Sequence, residues 1–133
     1  PLYNFQTSYN YTLAKSITHY LNKGATKSKL LLGLPWYGRE WETMASTAPS
    51  SVVTGGWGGS SRTYNYVKNN SSTYSPANKN FENNSFENYY SYQVSGAWRQ
   101  CWIDDNYSYS RKFDLVNQRG IGGIGIWALG YGI

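Results

Sequence analysis

Residues 122–129 read Gly122-Gly123-Ile124-Gly125-Ile126-Trp127-Ala128-Leu129. A short apolar run with no polar alternation predicts a buried strand. Side chains alternate faces along a strand. Ile124, Ile126 and Ala128 therefore share one face, and Gly123, Gly125, Trp127 and Leu129 share the other. The isoleucine face suits packing against helices. The other face carries two glycines and then one large ring near the strand's C-terminal end. In a parallel barrel that end is where active sites lie. A core tryptophan lying over small neighbours fits the same pattern, so the strand leaves both readings open.

Working outward, the strand follows a predicted helix. Ser108 or Ser110 can cap it, Phe113, Leu115 and Val116 are its apolar positions, and Gly120 ends it. A second apolar run, Lys29-Leu30-Leu31-Leu32-Gly33-Leu34-Pro35, reads as another strand buried on both faces. It too follows a helix, expected from about Thr12 to Lys23. There Leu13, Ile17, Tyr20 and Leu21 fall at helical spacing, Asn10 can cap, and Gly24 stops the helix in the left-handed region. Helix followed by buried strand is half of a repeating α/β unit. His19 lies off the apolar face and reads as solvated.

Between these two units the grammar changes. From about Trp41 to Gln100 the chain is rich in Gly, Ser, Asn and Tyr and poor in Leu and Ile. Gly55-Gly56-Trp57-Gly58-Gly59 reads as a loop, on which Trp57 is a candidate exposed stacking residue. A short helix is expected within 62–69. Tyr89–Gln93 and Trp98–Ile103 read as strands joined at the turn signal Ser95-Gly96. The middle is therefore expected to be a small antiparallel α+β unit inserted into the α/β chain. The division is 1–40, 41–101 and 102–133.

Composition bounds the function class. The chain has 133 residues, too few for a complete eight-fold barrel, which takes about 250. Opening on Pro1 rather than Met, inside a loop, it is expected to be a piece of a longer protein. Charged residues make up 14% and aromatic residues 18%, so rings and neutral amides fill positions usually held by Lys and Glu. Such a surface suits contact with sugars, and equally a plain secreted β-rich domain. The net charge of +5 is spread over scattered basic residues, with no run resembling a nucleic-acid patch or a polybasic anchor. Neither nucleic acid nor membrane is an expected partner. The one cysteine, Cys101, has no partner for an intrachain disulfide or a zinc site, and reads as a small core residue. No cofactor or metal is expected.

Two segments together resemble glycoside hydrolase family 18, the chitinase family. Lys29–Trp41, KLLLGLPWYGREW, is similar to that family's seventh barrel strand, matching at Lys29, Gly33, Pro35, Tyr37, Gly38, Arg39 and Trp41. Trp102–Tyr131 is similar to its DDxxSxxxK helix entry and eighth strand, matching at Asp104, Asp105, Ser108, Lys112, Gly122, Gly123 and Trp127. The gap between them is where many members carry the chitinase insertion domain, and the composition break falls there independently. The resemblance implies an α+β fragment of a (β/α)8 barrel, its last two strands and helices, carrying that small antiparallel insertion. It also implies a secreted parent hydrolysing β-1,4-linked N-acetylglucosamine polymers such as chitin. A peptidoglycan-directed hydrolase and a chitinase-like lectin are the alternatives.

The family's general acid ends a DxxDxDxE motif that none of this chain's seven acidic residues forms. The fragment is therefore expected to be inactive alone and to hold no catalytic residue. The resemblance implies that Trp127 floors the subsite of the reacting sugar, with a ring face against the sugar's C–H face. Tyr37 and Arg39, just past the seventh strand, are expected to bond sugar hydroxyls or acetamides. Arg39 could instead pair with a carboxylate that holds the insertion. Trp36 and Trp41 could line the cleft or pack the insertion's base. Asp104 and Asp105 read as structural, at a helix N-terminus where negative charge is favoured. The polysaccharide is the expected partner, and unpaired barrel strands could let the fragment self-associate.

Overall fold

The computed structural model describes residues 1–7 and 9–132. Ile133, and with it the end of the unusual Gly132-Ile133 terminus, lies outside them.

The first helix, α1, spans Leu13–Asn22. Its N-cap is Thr12, whose hydroxyl accepts from the Lys15 amide at 3.1 Å. The predicted cap, Asn10, sits two residues too early and accepts from the Lys15 ammonium instead. Gly24 follows with φ +91°, the left-handed stop expected of it. Strand β1 is Leu31–Pro35, and directly after Trp36 the chain enters β2, Tyr37–Thr43. Then come β3, Gly58–Thr63; a short helix α2, Tyr64–Asn69; and β4, Lys79–Glu82. Strands β5, Glu87–Val94, and β6, Ala97–Trp102, form a hairpin. Its two turn residues, Ser95 and Gly96, both have positive φ, 51° and 84°, the requirement of a type I′ turn. Helix α3, Asn106–Arg119, and strand β7, Gly123–Trp127, complete the chain.

These strands make two sheets. β1 and β7 pair in parallel, with Leu31 opposite Gly123 and Pro35 opposite Trp127. The other five are antiparallel in the order β3-β2-β6-β5-β4. The antiparallel sheet takes Tyr37–Glu40 from the segment assigned to the barrel and Trp102 from the last one, because only Trp36 separates β1 from β2.

Within this chain the parallel pair is covered on its helix-side face. Leu32 and Leu34 pack with Ala14 and Ile17 of α1 and Leu115 and Val116 of α3. Leu31, on the other face, is 61% exposed. Both helices lie on the same side, so the opposite face, with Gly33, Gly123, Gly125 and Trp127, stays open. The alternation read from residues 122–129 holds, since Ile126 joins the helix-side core. Leu2, in a stretch with no readable period, is fully buried there, and its amide donates to the Ser85 carbonyl at 3.0 Å. A second core gathers Val67, Tyr74, Cys101 and Ile103 on the antiparallel sheet. Among the described residues no helix is long and apolar enough to cross a membrane.

Candidate functional site

Strand β2 carries two faces with different tasks. Tyr37, Arg39, Trp41 and Thr43 alternate with Gly38, Glu40 and Glu42. Register places Trp102 opposite Arg39 and Gln100 opposite Trp41, so these side chains share the first face. That face borders a cavity of about 520 Å³. Phe5 and Tyr9 close another side of it, and Gly33–Pro35 at the end of β1 a third. Trp102 is held in place by Tyr89, stacked at 4.6 Å and 19°, and by Phe5, edge-on at 5.2 Å.

The opposite face of β2 is anchored. The Glu40 carboxylate is fully buried. It accepts from Arg62 Nε at 2.5 Å, from the Tyr74 hydroxyl at 3.0 Å and from the Tyr92 hydroxyl. Burial, and next its bond to Glu40, push the Tyr92 phenol up to about 12, so it remains a donor at any ordinary pH. Gly38 lies where β2 crosses the start of the β6–α3 link. A Cβ there would stand 2.3 Å from the Trp102 carbonyl oxygen and 2.6 Å from Ile103 Cβ. This close approach is the physical reason for glycine between Tyr37 and Arg39.

At its inner end the cavity meets a buried charge cluster. Lys112 on α3 reaches Asp104 at 2.6 and 2.7 Å and Glu87 at 3.0 and 3.1 Å. Asp104 also accepts from the Ser108 hydroxyl at 2.6 Å. Burial raises the Glu87 carboxyl above its ordinary range, more than the opposing pull of Lys112 lowers it. Asp105 caps α3 in a reciprocal capping box. It accepts from the Ser108 amide at 2.8 Å, while the Ser108 hydroxyl accepts from the Asp105 amide at 2.9 Å. Both aspartates are thus structural. The cap is Asp105, with Ser108 three residues on, rather than Ser108 or Ser110, because an ionised carboxylate also meets the positive end of the helix.

The four expected binding residues divide into two places. Tyr37 and Arg39 line the cavity. Arg39 donates to the Gly59 carbonyl at 2.7 Å; the ion pair that ties the antiparallel sheet belongs to Arg62 and Glu40 instead. Trp41 lines the cavity as well. Trp127 and Trp36 do not. They stand together at the C-terminal ends of β7 and β1, with the Trp36 amide donating to the Trp127 carbonyl at 2.6 Å. Trp127 is 69% exposed in this chain. Trp57, expected on an open loop, is instead half-buried, with the Arg99 guanidinium 4.0 Å above its ring and that of Arg62 at 5.1 Å. Sequence reasoning missed Phe5, Tyr9 and Trp102 as cavity residues. Trp102 had a signal, since period two puts it on one face with Gln100 and Trp98.

Chemically, the cavity offers flat apolar rings beside neutral and cationic donors. The carboxylates it reaches, Glu87 and Asp104, are both committed to Lys112. Among the described residues no group of three or more His, Cys, Asp or Glu is placed to hold a metal.

Residues 1–132 match the sequence pattern described as Glycosyl hydrolases family 18. The chain belongs to this family. Chitinase 63 of Streptomyces plicatus is 26% identical over 125 residues, which is 88% of this family 18 chain and 18% of that protein. A chitinase from Rhizomucor miehei superposes with a TM-score of 0.80 at 20% identity, over 98% of this chain and 43% of that one. The chitinase-like agglutinin from Robinia pseudoacacia gives a TM-score of 0.70 at 25% identity, over 98% and 36%. The chain therefore spans less than half the length of each of these relatives.

Proposed function

We propose that this chain forms one wall and the sugar-stacking rim of the substrate cleft in a secreted chitinase-type hydrolase acting on β-1,4-linked N-acetylglucosamine polymers. The observation that carries the reading is the arrangement around the end of β1. An exposed Trp127 ring stands on one side, and a cavity walled by Tyr37, Arg39, Trp41 and Trp102 on the other. Rings with neutral donors nearby recognise a pyranose through its C–H face and its hydroxyls. Trp36, half-buried beside Trp127, supports the rim. The antiparallel sheet acts as the insertion that raises the cleft wall. Both nearby carboxylates are tied to Lys112, so the acid belongs to chain outside these residues and the piece alone does not cleave glycosides. The likeness to an agglutinin favours a lectin as the second reading, in which the same surface binds sugar and the parent lacks the acid.

The test is titration of the chain with N-acetylglucosamine tetramer, followed by tryptophan fluorescence, for wild type and Trp127→Ala. Saturable quenching weakened at least about fivefold in the variant is expected, since stacking of one ring on a ligand is worth on the order of 1–3 kcal/mol. Equal binding by both proteins would remove Trp127 from the site. The residue ending the fourth strand of the parent then separates enzyme from lectin.

A further inference from the structure

The parallel ladder ends at the pair Pro35–Trp127. Beyond it, the peptide unit joining Pro35 to Trp36 is gripped on both sides. Its N–H donates to the Trp127 carbonyl at 2.6 Å. Its C=O accepts from the hydroxyl of Tyr109, 74 residues away on α3. Both groups belong to one planar unit that cannot twist internally. A tilt imposed at the carbonyl is therefore delivered to the amide, and through it to the Trp127 backbone. Hydrogen bonds that share a peptide also polarise one another.

Tyr109 is itself firmly placed. Its ring stacks on Phe113 at 5.9 Å and 23° and packs against the helix-side core. The helix beneath it is pinned by the Asp105 cap and by the buried Lys112–Asp104 pair. Burial raises the phenol's pKa, which keeps it a donor. Trp127, in contrast, carries a ring that is 69% exposed in this chain.

We propose that Tyr109 is a positioning residue for the sugar-stacking ring: through the Pro35–Trp36 peptide it sets the pose of Trp127. The inference rests on the reading of Trp127 as a stacking residue, and adds a residue that touches no sugar.

The test compares wild type, Tyr109→Phe, Trp127→Ala and the double variant, with Tyr107→Phe as a control on the same helix. Removing one hydroxyl keeps the ring, so the fold is retained, and urea unfolding checks this. Tyr109→Phe is expected to weaken binding of N-acetylglucosamine tetramer about fivefold in the wild-type background and not at all beside Trp127→Ala. Where Trp127→Ala itself weakens binding, the same Tyr109→Phe loss in both backgrounds, or none in wild type, overturns the proposal. If Trp127→Ala leaves binding intact, the stacking reading has failed and positioning is judged on fluorine NMR of 5-fluorotryptophan-labelled chain. There the Trp127 resonance must shift in Tyr109→Phe and stay put in Tyr107→Phe. An unshifted resonance in Tyr109→Phe overturns it.

Discussion

Replacing Glu40 by alanine tests what holds the wall of the cleft upright. The carboxylate is fully buried under β2 and serves three donors that lie 22, 34 and 52 residues away in sequence. Its removal strands the Arg62 guanidinium, takes an acceptor from two phenol hydroxyls and leaves a small cavity. Breaking a buried ion pair from one side costs about 3–5 kcal/mol. Two features set the value within that range. Arg62 is 19% exposed and lies over the Trp57 and Tyr66 rings, so its stranded charge is partly relieved. The two phenols keep each other as hydrogen-bond partners, and Tyr92 also meets Arg99, so together they add no more than about 1 kcal/mol. The expected loss is about 3–4 kcal/mol, a large share of the roughly 5–15 kcal/mol that a domain of this size commands. Glu40→Gln keeps an acceptor for the tyrosines and loses only the charge pair, so it should cost about half as much. Glu40→Leu combined with Arg62→Met removes both charges and should recover most of the loss. Urea unfolding followed by fluorescence and by circular dichroism supplies the free energies. A loss below about 1 kcal/mol for Glu40→Ala, or no recovery in the double variant, would refute the view that this carboxylate is the anchor.

Two further predictions concern stability. Burial alone would raise the Asp105 carboxyl, but the Lys79 ammonium and the Ser108 donors override it and hold it below its usual range. Its contribution is therefore complete above its unfolded pKa near 3.8 and lost as pH falls through the lower folded value. Glu82, held down by Ser85 and Asn84 against the effect of burial, behaves alike, whereas Glu87 has the opposite sign. The stability gap between wild type and Asp105→Asn should thus narrow steadily from about pH 5 to about pH 3; a gap that widens toward acid contradicts the assignment. Gly38→Ala forces a methyl against the Trp102 carbonyl and should cost about 1–3 kcal/mol in urea unfolding. An unchanged midpoint would mean that β2 can move away from Ile103.

Much of the scaffold was legible in the residues. Gly24 and Gly120 stop helices because glycine enters the left-handed region without a Cβ clash, and Gly96 serves the hairpin turn for the same reason. The motifs around Tyr37-Gly38-Arg39 and Asp104-Asp105 were enough to reach the family. Less legible were the helix caps. Asn10, Thr12, Asp105 and Ser108 all have the chemistry of a cap, and which one serves depends on where the neighbouring strand delivers the chain.

Sequence by itself determined the local events: strand alternation at Gly123–Trp127, the glycine stops, and the face on which Ile126 meets the helices. These depend on neighbours within four residues, whose directions are set by backbone geometry. Only the tertiary structure decided which rings share a cavity, that Arg62 rather than Arg39 pairs with a carboxylate, and that Leu2 is core. It also decided that Trp127 is not among the residues lining that cavity. Those outcomes depend on the register between strands tens of residues apart, and register is a property of the assembled sheet that no local pattern encodes.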